Sequence, residues 1–302
     1  MDYLKIIDLK LDKTKDLHEK DFTHQKVLDH GYIQYIEHSG LDATIAEDAR
    51  VSYGKGTKQV NKESKGLIDR LIRDGHWSPF EMPDLKVEIG MPIFVANQWK
   101  RYRTAKINEY SGRYSEMMCD FYIPDMERLE YQNKENRQGG DNTFHIPDDI
   151  KQSILNTMLS DSALVFESYS HFLEHDLTRE LARIGLPLNL YTKMVWKLDL
   201  RNLFNLLSQR LDNHAQWEIR QYAIALSNIV KTLWPESYSS FENHVLNSVR
   251  LSHNDIKYLM NTLGLGSKLD DLLPQFKTKE FKETYSKTLY DRIARMIDLS
   301  VL

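Results

Sequence analysis

Apolar and polar residues alternate in YIQYIEHSG at 32–40, setting Tyr32, Gln34 and Ile36 against Ile33, Tyr35 and Glu37, a period of two that predicts a strand. In ESKGLIDRLIRDG at 63–75, Leu67 and Leu71 with Ile68 and Ile72 fall at helical spacing, and Gly75 is the expected stop. LKVEIGMP at 85–92 reads as a short strand, after which Pro92 suits the first position of a helix IFVANQWKR. TAKINEYSG at 104–112 shows neither period and is expected to be irregular, whereas RYSEMMCDFYIP reads as a strand ending at Pro124. A long helical pattern occupies roughly 148–182, with Leu164, Tyr169, Phe172 and Leu173 among its apolar positions. In LPLNLYTKMVWKLDL, Leu190, Thr192, Met194, Trp196 and Leu198 would point one way from a strand. Helices follow at RNLFNLLSQRL and then up to about Leu233, where Pro235 ends the run. Three side chains suit helix starts: Asp42 before ATIAEDARV, Asp199 before RNLFNLLSQRL, and Asp212 or Asn213 before the next helix.

These elements predict an α+β fold, a mixed α/β single domain over 27–235. Residues 1–26 are highly charged and read as an N-terminal arm. The polar stretch 127–149, centred on QNKENRQGGDN, reads as an exposed insertion or lid. Residues 236–302 read as a helical C-terminal extension through FENHVLNSVRL, SHNDIKYLMNTLG and TYSKTLYDRIARMIDL. At 302 residues with 41% apolar content, the chain can bury a substantial core. No apolar run approaches the roughly 20 residues that span a bilayer, and the N-terminus lacks a signal-peptide core. The single cysteine, Cys119, excludes a disulfide framework within the chain and reads as a buried free thiol. These features point to the cytoplasm.

Charge changes the picture at one place. The formal net charge is −4, yet Gln98–Tyr114 carries five cations (Lys100, Arg101, Arg103, Lys106, Arg113) against one carboxylate, Glu109. Two readings fit: cations decorating a helix end, or arginine forks gripping a small anion beside Ser111 and Gly112. Downstream, Arg183, Asn189, Arg201, Asn205, Arg210 and His214 form a second polar group. Arg210 stands in an apolar run and needs an acceptor, which a structural carboxylate or a ligand could supply; His214 reads as a structural histidine on a helix. SYGKGTK at 52–58 lacks the spacing of a phosphate loop. His171 and His175 are four apart but lack a third metal ligand, Ser111 is in no nucleophile elbow, and no dinucleotide fingerprint occurs. No metal site is expected.

RYRTAKINEYSGRY at 101–114 resembles the signature of flavin-dependent thymidylate synthases: arginine, usually histidine, arginine, then serine after seven intervening residues. Arg101, Arg103 and Ser111 keep that spacing, and Asn108, Glu109, Gly112, Arg113 and Tyr114 match as well. The resemblance continues in DARVSY, GHWSPFE, PIFVANQW, FYIP, ARIGLPLNLYT and RLDNHAQWEIRQYA, and spans most of 42–235. It implies reductive methylation of dUMP to dTMP, with methylenetetrahydrofolate as carbon donor, FAD as cofactor and NADPH as reductant. It further implies a homotetramer with active sites where subunits meet, and no role for membrane or nucleic acid. By resemblance, Gln98, Arg101, Glu109, Ser111, Gly112, Arg113, Arg183 and Arg210 bind dUMP, and Arg210 is catalytic by favouring ionisation at uracil N3. FAD contacts would come from Ser52, His76, Ser78, Arg101, Tyr102, Arg103, Glu109, Asp199 and Asn205.

Four positions depart from the family pattern. Tyr102 replaces the usual histidine, Lys106 stands where serine is frequent, Asp199 where asparagine is common, and Met82 where histidine is often found. Tyr102 can offer a flat face but no imidazolium, which predicts altered flavin affinity or redox tuning. Two rivals stay open: a reductase of the same fold acting on another substrate, and a nucleic-acid-binding protein whose cations hold phosphates with steep salt dependence.

Overall fold

Three nine-residue antiparallel strands carry the fold, and helices on either side of the sequence between them supply the cover. In the computed structural model, which describes residues 22–51, 62–134, 139–141, 143–252 and 254–255, chain order runs β1 (His24–Val27), β2 (Gly31–Ser39), α1 (Asp42–Arg50) and α2 (Lys62–Asp74). A 3₁₀ turn at Ser78–Glu81 leads to β3 (Asp84–Pro92), α3 (Ile93–Trp99) and β4 (Lys106–Glu109). A hairpin of β5 (Tyr131–Gln132) and β6 (Gly140–Asp141) precedes the long α4 (Asp148–Glu174) and the short α5 (Arg179–Ala182). After a 3₁₀ turn at Arg183–Gly185 come β7 (Tyr191–Asp199), α6 (Leu200–Arg210), α7 (Trp217–Leu233) and α8 (Pro235–Phe241), then a π turn at Glu242–Leu246. Residues 1–246 form one compact unit and 247–302 another; within the second, Asp255 accepts from both the amide and the hydroxyl of Ser252.

The main sheet has the order β1-β2-β3-β7-β4, antiparallel throughout. The alternation expected in β7 holds: Thr192, Met194, Trp196 and Leu198 are buried while Lys193, Val195 and Lys197 are not. In β2 it holds only as far as Tyr35. Ile36 is an extra residue in a bulge between the Tyr35–Val87 and Glu37–Lys86 pairs, so it turns outward. The core is aromatic at its centre, with the rings of Trp99 and Trp196 5.6 Å apart and Phe204 stacked on Phe241 at 4.3 Å.

Helix ends explain where the sequence reading holds and where it does not. Gly75 adopts φ +75°, and the amides of Gly75 and His76 bond back to Ile72 and Leu71, closing α2 as expected. The same device breaks the helix expected over 148–182: Asp176 takes φ +56°, and the amides of Asp176 and Leu177 return to Leu173 and Phe172. Leu164 and Phe172 of α4 are exposed, and Tyr169 is buried. Asp199 caps α6 as expected, its Oδ1 accepting the Asn202 amide at 3.0 Å. Neither Asp212 nor Asn213 caps α7, whose N-cap is Gln216.

Asp42 does not cap α1, whose N-cap is Leu41. It is buried and reaches across to the start of α8, where it accepts the amides of Glu236 (2.9 Å) and Ser237 (3.1 Å) and the Ser237 hydroxyl (2.6 Å). Pro235, expected to end a helix, also opens α8. With Tyr238 and Phe241 buried in the core, the helical segment after 235 belongs to the same packing as the sheet, and so does β1 at its other end. The stretch expected to be irregular contains β4, and the strand expected over 113–124 is reduced to one bridge between Phe121 and Leu190. The helices expected near 252–264 and 284–299 lie outside the described residues but for 254 and 255.

Candidate functional site

The cationic stretch is divided by the sheet edge. Lys100, Arg101 and Tyr102 turn off the end of α3 through amide bonds back to Ala96, Gln98 and Trp99. β4 then pairs with β7, and the chain turns again at Ser111, whose carbonyl accepts the amides of Tyr114 and Ser115. The three arginines therefore do not converge within this chain. Arg101 and Arg103 are exposed before β4; Arg113 lies beyond it, paired with Glu180 at 2.5 Å. Glu109 accepts from Lys100 Nζ at 3.0 and 3.2 Å and from the Thr192 hydroxyl at 3.2 Å. Neither partner carries a signal in the sequence beyond its charge or polarity. Lys106 faces Lys197 across the β4–β7 pair, and Met82 is exposed.

Two cavities share out the predicted residues and have no lining residue in common. The first, about 520 Å³, brings together Glu109, Ser111, Gly112 and Arg183. Gly112 is buried here, and a Cβ on it would stand 2.7 Å from Met117 Sδ and 3.0 Å from Arg183 Cδ. The bare backbone is thus what allows Arg183 to cross beside it. The arrangement offers one guanidinium, one hydroxyl and one oriented carboxylate to a ligand.

The second cavity, about 840 Å³, holds Gln98 and Arg210, with the root of the β5–β6 hairpin and the start of α7 as further walls. Arg210 Nε is buried and has no hydrogen-bond partner among the described residues. Its guanidinium lies 5.5 Å from the centre of the Tyr102 ring, a cation–π contact that holds the charge without consuming its donors. Tyr102 donates to Gln209 Oε1 at 3.0 Å; burial pushes its phenol up, and the Arg210 charge pulls it part of the way back. The acceptor that Arg210 was expected to need is not a structural carboxylate here. A buried, unpaired guanidinium nitrogen on a cavity is the donor that an anionic or carbonyl ligand would use. His214 lies in the loop before α7 rather than on a helix, exposed and bonded to Asp212.

A polar ridge runs along the outer side of α6, where Arg201, Asn205 and Gln209 recur every fourth residue. Arg201 pairs with Glu81 at the 3₁₀ turn that carries Ser78, and Asn205 Oδ1 accepts from Gln209, which joins Tyr102. His76, Ser78 and Asn205 are exposed along this ridge. Both oxygens of Asp199 are engaged by Asn202 at the N-terminus of α6, which offsets the charge of this departure. Ser52 lies outside the described residues.

Cys119 is exposed, not buried as expected; partial desolvation and the nearby Asp120 push its thiol up, away from a reactive thiolate. His175 Nδ1 bonds the His171 carbonyl at 2.9 Å, and no group of metal-binding side chains occurs among the described residues. No described helix is long and apolar enough to cross a membrane.

Residues 33–236 match the family model described as thymidylate synthase complementing protein. The flavin-dependent thymidylate synthase of Wolbachia pipientis wMel is 44% identical over 238 residues, covering 79% of this chain and 83% of that protein. The flavin-dependent thymidylate synthase of Treponema denticola is 42% identical over 245 residues, 81% and 90% of the two chains. Among solved structures, the UMP/dUMP methylase PolB from Streptomyces cacaoi bound with 5-Br dUMP is similar with a TM-score of 0.65 and 28% identity, over 72% of this chain and 97% of that one.

Proposed function

This chain belongs to the flavin-dependent thymidylate synthase family, and on that premise we propose that it methylates dUMP to dTMP with methylenetetrahydrofolate as carbon donor, FAD as cofactor and NADPH as reductant, in the cytoplasm. The observation that carries the reading is Arg210, a cation on a cavity with a buried donor that nothing in the chain satisfies. Facing a pyrimidine, it would stabilise negative charge that develops on the ring carbonyls as the base is activated.

The eight nucleotide residues fall into two sets. Glu109, Ser111, Gly112 and Arg183 share the smaller cavity, with Arg113 nearby in sequence; Gln98 and Arg210 share the larger, with Arg101 just past Gln98. One nucleotide touching both sets would bridge two copies of the chain, and this supports a homotetramer whose sites lie between subunits. Arg183 and Arg113 would hold the phosphate, with the bared Gly112 backbone letting it approach. Gln98 and Arg210 would hold the base. An exposed ridge with cations at one end suits an extended, anionic cofactor. Ser52, His76, Ser78, Arg101, Tyr102, Arg103, Glu109, Asp199 and Asn205 would hold FAD there, the arginines at its phosphates and Tyr102 against a ring. When bound, FAD supplies the reduction that turns a transferred one-carbon unit into a methyl group. Cys119, exposed and unactivated, has no part in this scheme.

The test is dTMP formation from dUMP with methylenetetrahydrofolate, NADPH and FAD, with flavin absorbance of the reisolated protein as an independent readout. Activity with retained flavin is expected. NADPH oxidation without dTMP would favour the reductase rival, and protein that takes up no FAD would overturn the reading. Gly112→Ala should raise KM for dUMP by about tenfold with FAD uptake unchanged, because a Cβ must displace Arg183 or Met117. Steady-state kinetics across dUMP concentrations checks it; an unchanged KM would remove Gly112 from the nucleotide site.

A further inference from the structure

One buried carboxylate fixes the back wall of the cavity that holds Arg210. Glu218, at the start of α7, is 5% exposed. It accepts from Tyr122 Oη at 3.3 Å, from Arg128 Nε at 3.1 Å and from Gln216 Nε2 at 2.8 Å. Arg128 and Gln216 line the cavity, while Glu218 stands behind them. The Arg128 guanidinium also lies 5.1 Å from the Trp217 ring centre, which pins the root of the hairpin wall. Gln216 in turn accepts through Oε1 from Gln98 Nε2.

These contacts impose a direction. Paired with Arg128, Glu218 has acceptors only. Gln216 must therefore turn its NH₂ toward Glu218, which leaves its Oε1 facing Gln98. Gln98 must answer with N–H, and an amide that commits its nitrogen on one side offers its oxygen on another. A chain of two amides ending on a fixed anion cannot run backwards unless the anion is lost.

We propose that Glu218 is a positioning residue that sets, through Gln216, the amide direction of Gln98, so that Gln98 presents an acceptor to the base edge and selects uracil over cytosine. Uracil offers an N3–H donor flanked by two carbonyl oxygens, whereas cytosine offers an acceptor at N3 and a donor amine beside it. Gln98 supplies the acceptor for N3–H, and Arg210 supplies donors for a flanking carbonyl. The inference rests on the reading of this cavity as the pyrimidine part of the dUMP site.

The test compares dissociation constants for dUMP and dCMP, by calorimetry on the FAD-loaded full chain, among wild type, Glu218→Gln and Gln216→Met. A glutamine at 218 can donate as well as accept, so the relay can reverse; methionine at 216 removes the relay and leaves the Glu218–Arg128 pair intact. In both variants the preference for dUMP over dCMP should shrink by about tenfold, the weight of one mismatched buried hydrogen bond. A purely structural role would weaken both nucleotides in equal proportion. Equal weakening, or an unchanged preference in Gln216→Met, overturns the relay. If Glu218→Gln does not fold, Gln216→Met decides alone. Wild type that binds dUMP with no preference over dCMP sinks the relay only; wild type that binds neither nucleotide sinks the pyrimidine reading and the relay with it.

Discussion

Arg210→Ala is expected to lower dTMP formation by about a hundredfold to a thousandfold, the usual scale for removing a preorganised donor that faces developing charge. The loss should fall on kcat more than on KM, because the contact strengthens as the ring gains charge. The fold should tolerate the change: Arg210 Nε makes no hydrogen bond that the alanine would forfeit, and only the contact with Tyr102 is lost. Arg210→Lys should recover little, since a compact ammonium on a flexible stem cannot reproduce the fork. Initial rates at saturating dUMP, with a thermal melt of each variant, check the expectation. Equal rates for wild type and Arg210→Ala would remove Arg210 from the chemistry.

Asp42→Ala should be the most destabilising polar substitution, at roughly 3 kcal/mol, because it strands three donors at the start of α8, two of them on the fully buried Ser237. For a unit of this size that corresponds to a fall in melting temperature of about 6–12 °C. Burial pushes the Asp42 carboxyl up, and the bonds from Ser237 and Glu236 only partly counter it. With a native pKa above the unfolded value, its contribution is complete below the ordinary carboxylate range and declines as pH rises through the native value. Asp42→Asn, which does not titrate, should keep part of the cap and flatten that slope. Urea unfolding at several pH values measures both. A change below about 1 kcal/mol for Asp42→Ala would mean that α8 is held by its apolar face alone.

The central elements were legible because their patterns are local. β7 alternates over nine residues, Asp199 stands one position before its helix, and Gly75 supplies the backbone freedom that its turn requires. Failures occurred where a partner distant in sequence decided the outcome. Asp42 precedes a helical run and suits a cap, but its donors are 195 positions away at Ser237. β4 has one apolar residue, exposed Ile107, so only its pairing with β7 reveals it. The break after α4 uses Asp176 where glycine would have announced it. The site was legible as a set of residues through the family resemblance, and illegible as geometry. Nothing in QWKRYRTAKINEYSGRY shows that Arg101 and Arg113 lie on opposite sides of a strand, or that Gln98 reaches Gln216. Tyr102 was legible as a departure, but not its service as a seat for Arg210.

The order of the sheet also governs how copies of the chain can associate. Among the described residues, its long strands β2, β3 and β7 are interior, and both outer positions go to four-residue strands, β1 and β4. Short borders expose few free backbone groups, and β4 adds Lys106 at its rim, where a strand from another molecule would have to bury a charge. The sheet is thus closed to growth by strand addition. Copies are left to meet through helices and loops, and a crowded or partly unfolded population is kept from templating fibrils on its native sheet.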